Sequence, residues 1–142
     1  MRLVPTFFLI ALVSLSISGC NVTVEATANP QFQDAWLSSD ADGENRVTSY
    51  GPEDTVRVKA DLVGAASGTK VTAKLVAEKV DHPDVSPNTE IGNFEQVYDG
   101  TLNRMNFDFS NDGPMPTGDY RVDLSINADK TKSLNFQVKE AE

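Results

Sequence analysis

"YRVDLSINADKTKSLNFQV", residues 120–138, decides the fold. Tyr120, Val122, Leu124 and Ile126 alternate with Arg121, Asp123 and Ser125, and Leu134, Phe136 and Val138 alternate with Asn135 and Gln137. Successive side chains of an extended chain point to opposite faces, so a period of two marks strands with one oily and one wet face. The polar run "NADKT" (127–131) between them makes a turn, and the pair becomes an antiparallel hairpin.

The same period extends upstream. "TVRVKADL" (55–62) sets Val56, Val58, Ala60 and Leu62 against Arg57, Lys59 and Asp61. "KVTAKLVAE" (70–78) puts Val71, Ala73, Leu75 and Ala77 on one face, and "MNFDF" (105–109) does so with Met105, Phe107 and Phe109. "DAWLS" (34–38) and "FEQVY" (94–98) are weaker examples. Prolines fall only in the leader, the tether and the loops between strands, as sheets require. No window carries a helical stripe. These segments predict an all-β fold, an immunoglobulin-like antiparallel β-sandwich of about seven strands following an N-terminal signal peptide.

"YGPEDTVRVKADL" (50–62) and "PMPTGDYRVDLSINADKTKSLNFQV" (114–138) resemble the immunoglobulin-like domains common in bacterial surface lipoproteins. Those domains carry an aromatic, an Asp-Thr turn and a strand, and later Pro-x-Gly-x-Tyr leading into a final hairpin. The resemblance covers Phe32 to Val138. It implies that the Tyr120 hydroxyl ties the preceding corner. The chain departs from the pattern in two ways: its last hairpin lacks an Asp-Gly type pair, and no cysteine pair bridges the sheets.

The N-terminus has the layout of a secretory signal. Arg2 gives a positive start, "FFLIALVSLSI" (7–17) is apolar, and Ser18-Gly19 precede Cys20. The run is too short and too rich in serine to serve as a spanning helix, which needs about 20 apolar residues. Ile17-Ser18-Gly19-Cys20 resembles the bacterial lipobox, which implies cleavage before Cys20 and attachment of lipid to its thiol. Further acylation of the freed amine would make anchoring stable, because two lipid signals suffice. Cys20 is the only cysteine, so the expected mature domain has no disulfide and rests on packing. Asn21 after the cysteine, rather than Asp, implies sorting to the outer membrane in enterobacterial terms. The expected organisation is a leader over 1–19, a lipidated tether over 20–31, a sandwich over 32–139 and an acidic tail over 140–142. At about 3.3 Å per residue, the eleven residues from Asn21 to Gln31 reach roughly 36 Å.

The 142-residue chain has 21 acidic and 12 basic residues, a formal charge of −9. Without Arg2 the basic residues fall to 11 and the balance to −10. Such a surface repels phosphate backbones and argues against nucleic-acid partners. His82, the only histidine, precedes Pro83 in a loop, and one histidine without a free thiol cannot complete a tetrahedral zinc site. The chain reads as non-enzymatic, with no catalytic residue and no metal ligand assigned. "DADGEN" (40–45) alternates Asp40, Asp42 and Glu44 as a calcium loop would, but Gly43 falls fourth where an EF-hand loop needs glycine sixth. Calcium is therefore the one cofactor the sequence leaves open. Trp36, the only tryptophan, is either a packing residue or an exposed stacking platform for sugar or peptide.

Alternating strand directions send alternate connections to opposite ends of a sandwich. The short, nearly neutral connections 63–69, 99–101 and 127–131 then lie at the end where the first strand begins. The long ones, 39–54, 79–93 and 110–117, lie at the other. These hold Asp40, Asp42, Glu44, Glu53, Asp54, Asp81, Asp84, Glu90 and Asp112, and the tail adds Glu140 and Glu142. Asp40, Asp42, Glu44, Asp81, Asp84 and Asp112 are accordingly the candidate rim for a cationic group, a basic partner or calcium. The functional expectation is a lipid-anchored binding or structural module of the bacterial envelope, its partners the membrane through Cys20 and an envelope protein or glycan. The alternatives are a calcium- or carbohydrate-binding module and an accessory subunit of a larger envelope complex.

Overall fold

The computed structural model describes residues 29–101 and 103–142; the leader, Cys20 and most of the tether lie outside them. Eight strands follow one another: β1 (Gln31–Ser38), β2 (Ser49–Tyr50), β3 (Val56–Val63), β4 (Lys70–Val80), β5 (Thr89–Val97), β6 (Arg104–Phe109), β7 (Gly118–Ile126) and β8 (Lys130–Val138). They form two sheets, one ordered β1-β3-β6 and the other β2-β8-β7-β4-β5. All pairings are antiparallel except that of β2 with β8. The described residues are all-β.

Alternation delivers the core. Val56, Val58, Ala60 and Leu62 of β3 face Val71, Ala73, Leu75 and Ala77 of β4, with Tyr120, Val122, Leu124 and Ile126 of β7 completing the inner layer. Each large apolar side chain buried this way contributes about 1.5–3 kcal/mol relative to exposure. With no inter-sheet disulfide, that packing holds the sheets together.

Several elements depart from the sequence reading: β1 begins at Gln31, at the end of the expected tether, and β8 at Lys130, inside the expected 127–131 turn. β2 escapes it because two residues show no period; they are held by parallel pairing of Ser49 with Gln137 and Tyr50 with Val138. The long connection expected over 79–93 shrinks to 81–88, because β4 runs on to Val80 and β5 begins at Thr89. Glu90 therefore belongs to a strand rather than a loop, and it pairs with Lys74 at 3.6 Å.

The β7–β8 hairpin closes on Asn127 and Ala128, both left-handed at φ 49° and 65°, with the Asp129 amide donating to the Ile126 carbonyl at 3.0 Å. Two consecutive positive φ values are the geometry of a type I′ turn. Asn127 tolerates that region, and its side chain accepts from the Lys70 amide at 3.0 Å. Ala128 has no such compensation. Gly118, at φ 145°, is required for a different reason: a Cβ there would sit 2.3 Å from the Lys79 carbonyl oxygen.

Candidate functional site

The loops that follow β2, β4 and β6 converge at the pole opposite the chain's entry. The Met115 amide donates to the Pro52 carbonyl at 2.7 Å, the Asp81 amide to Thr117 at 2.8 Å and the Lys139 amide to Tyr50 at 3.0 Å. Glu53, Asp54 and Glu140 line one depression there with Gly51, Pro52 and Pro114. Asp81, Asp84 and Asp112 stand on the neighbouring loops, all exposed. His82 is absorbed into its own turn, its Nδ1 accepting from the Asp84 amide at 3.2 Å. Among the described residues no three acidic, histidine or cysteine side chains stand close enough to hold a metal ion.

Asp40, Asp42 and Glu44 are not part of this pole. Their segment folds back over the outer face of the small sheet, because three side chains of that face reach up to its backbone carbonyls. Trp36 Nε1 donates to Gly43 O at 2.8 Å, Lys59 Nζ to Ala41 O at 2.6 Å and an Arg57 guanidinium nitrogen to Ser39 O at 3.0 Å. Gly43, at φ 79°, is pressed so close that a Cβ would meet Lys59 Cγ at 2.9 Å. The Asp40 carboxylate accepts from Ser38 Oγ at 2.6 Å, the Gly43 amide at 2.8 Å and the Asn45 amide at 3.1 Å. Those donors, Ser38 first, hold its pKa below the usual carboxylate value. Asp40 thus folds the loop with the oxygens a calcium ion would need.

Trp36 is not an exposed stacking platform. It is 7% exposed, with the Arg46 and Arg104 guanidiniums 4.2 and 4.8 Å from its ring centroid. Both arginines are oriented by acids: Arg46 by Asp34 at 2.7 Å, and Arg104 by a two-point contact with Asp61 at 2.7 and 3.0 Å. Arg46 holds the Asp34 carboxyl below its ordinary pKa. Cation–π contacts of this kind contribute about 0.5–2 kcal/mol. The face is a structural clasp.

Between β1 and β8 the two sheets part into a cleft of about 390 Å³ lined by Ala35, Trp36, Leu37, Arg46, Ser133 and Leu134. The chain itself closes the upper part: the Val47 amide donates to Leu37 O and the Gln137 amide to Thr48 O, each at 3.0 Å. Only a short apolar slot remains below.

No protein-family model matches the chain. No curated protein matches it either. Among solved structures, an immunoglobulin-like protein from Pseudomonas aeruginosa superposes with a TM-score of 0.57 at 16% identity, over 80% of this chain and 99% of that one. The chain has an immunoglobulin-like fold. A beta-glucosidase from Listeria innocua, solved in complex with gluconolactone, matches at a TM-score of 0.50 and 11% identity, over 80% of this chain and 17% of that one. That likeness touches a small part of a far longer enzyme and carries the fold alone.

As in other immunoglobulin-like domains, a tyrosine near the start of the penultimate strand locks a corner: Tyr120 Oη donates to the Pro116 carbonyl at 2.6 Å. Sequence reasoning missed Arg46 and Arg104 as the cover of Trp36. It also missed the exposure of Ile91, Phe94 and Val97 on β5. The signal for the first was the glycine inside an acidic run, which lets a loop lie flat on a sheet. The second had none, because a strand exposed on both faces shows no alternation.

Proposed function

We propose that this chain is a lipid-anchored protein of the bacterial envelope, probed by no chemistry of its own, whose immunoglobulin-like domain acts as a non-enzymatic binding or structural module. Lipid on Cys20 holds it to the membrane, in the outer membrane by the rule for Asn21, and the acidic pole meets a cationic group on an envelope partner. The observation that carries the reading is the sequence Ile17-Ser18-Gly19-Cys20 directly after an apolar leader, followed within a dozen residues by the first strand at Gln31. A second feature supports it. Loops are where binding residues concentrate, and Asp81, Asp84 and Asp112 stand exposed on loops at the end opposite Gln31.

The test is incorporation of a palmitate analogue by cells producing the full chain. The wild-type protein takes up label and partitions with membranes; Cys20→Ser takes up none and is released from them. An unlabelled wild-type product, exported and soluble, ends the proposal.

A further inference from the structure

We propose that Asp112-Gly113, on the loop between β6 and β7, is a site of spontaneous backbone modification, where the aspartate converts through a cyclic imide to isoaspartate. The inference depends neither on the anchor nor on what the acidic pole binds.

Aspartate followed by glycine occurs three times in the chain, at Asp42-Gly43, Asp99-Gly100 and Asp112-Gly113. A glycine in second place matters because it has no Cβ to obstruct its own amide nitrogen as that atom nears the preceding carboxyl carbon. By sequence the three sites are equivalent. The fold distinguishes them.

In the reaction the glycine amide nitrogen bonds to Cγ of the aspartate, and the carboxyl OH and the amide proton leave as water. The imide then takes one water back. Opening at one carbonyl restores aspartate. Opening at the other leaves the main chain running through Cγ, with the α-carboxylate as the side group. Water is the only co-reactant. Ring closure therefore needs an uncommitted amide nitrogen, a carboxyl free to swing onto it, and backbone able to rotate between them.

Asp42-Gly43 is closed to it. The Gly43 amide donates to Asp40 Oδ1 at 2.8 Å, and its carbonyl accepts from Trp36 Nε1 at 2.8 Å. The residue is buried against the Lys59 stem. At Asp99-Gly100 the carboxyl is committed instead. Asp99 Oδ1 accepts from the Thr101 amide at 2.8 Å and the Thr101 hydroxyl at 2.7 Å, which hold it over the wrong nitrogen.

Asp112-Gly113 meets every requirement. Residues 110–114 are all exposed. Nothing lies within 4 Å of where a Gly113 Cβ would stand. Among the described residues neither Asp112 nor Gly113 takes part in a hydrogen bond or ion pair. The loop is nonetheless fixed at both ends, since Phe109 and Met115 are each 4% exposed and the Met115 amide donates to Pro52 O at 2.7 Å. The extra main-chain carbon is taken up between those two buried side chains, and the charge is unchanged. This pole of the domain thus exists in two covalent forms, whose ratio records the age of the molecule.

The test ages the full chain, purified in mild detergent, in neutral buffer. Isoaspartate is read by methyl transfer from labelled S-adenosylmethionine with an isoaspartyl methyltransferase as reagent. Trypsin separates the three sites, because Arg46, Lys79, Arg104 and Arg121 divide them. Label is expected to accumulate with time on peptide 105–121. Breaking a hydrogen bond to a carboxylate first slows closure about tenfold or more, so the peptide ending at Arg46 should gain at most about a tenth as much. Peptide 80–104 should also lag behind. Gly113→Ala, placed in open space and checked by an unchanged melting temperature, should abolish the label on 105–121. In urea, with the fold gone, the three peptides should label alike. Absence of label on 105–121, or equal label on all three peptides of the folded protein, overturns the proposal. So does a preference for 105–121 that persists in urea, because the fold would then not be its cause.

Discussion

Tyr50→Phe removes one oxygen from the second sheet and should change how stability depends on alkaline pH. Tyr50 is 4% exposed, packs edge-on against Phe136 at 5.4 Å, and donates its Oη proton to the Ser38 carbonyl at 2.8 Å, joining β2 to β1 across the sandwich. Burial pushes its pKa from 10.0 up to about 12. The folded-state pKa is raised, so the stabilisation is complete below about pH 10 and is lost as pH rises through about 12. Two units correspond to on the order of 3 kcal/mol in all, and roughly half of that is gone at pH 11. At neutral pH the substitution costs about 1–2 kcal/mol, the usual effect of deleting one buried hydrogen bond. Urea unfolding of both proteins at neutral pH and at about pH 11 gives the comparison. Wild type should lose about 1.4 kcal/mol more than Tyr50→Phe between the two conditions. Burial raises the Tyr120 pKa as well, but that residue is present in both proteins and cancels. Equal losses would refute the argument that the buried hydroxyl must keep its proton for the sheets to stay joined.

Ala128→Gly should stabilise the domain by roughly 0.5–1 kcal/mol, because glycine adopts a positive φ without the steric cost that alanine bears at 65°. Thermal melting checks it, and a lower melting temperature would mean that the turn is not type I′ in solution. Neutralising the pole with Asp81→Asn, Asp84→Asn and Asp112→Asn together should leave stability within about 0.5 kcal/mol, since the three are exposed surface residues. It should also diminish capture of a basic partner by cross-linking in the native envelope, most clearly at low salt. An unchanged set of captured proteins counts against the acidic pole as a binding surface.

Strands were legible wherever one face is oily and the other wet. β3, β6 and β7 are buried on one face, and their alternation marks them to within a residue or two. β4 was placed two residues short, because Lys79 and Val80 join the ladder through Asp119 and Gly118 rather than through a buried side chain of their own. β5 was found only from Phe94 onward: as an edge strand it is exposed on both faces, so burial imposes no period on Thr89 to Asn93. The acidic pole was half legible. Strand direction fixes where a loop starts and ends, but not whether it folds back over a sheet, and Asp40 to Asn45 does so because Trp36, Arg57 and Lys59 offer donors to its carbonyls. Alternation reads Lys59 as an outward, solvated residue, yet it is 2% exposed beneath that loop.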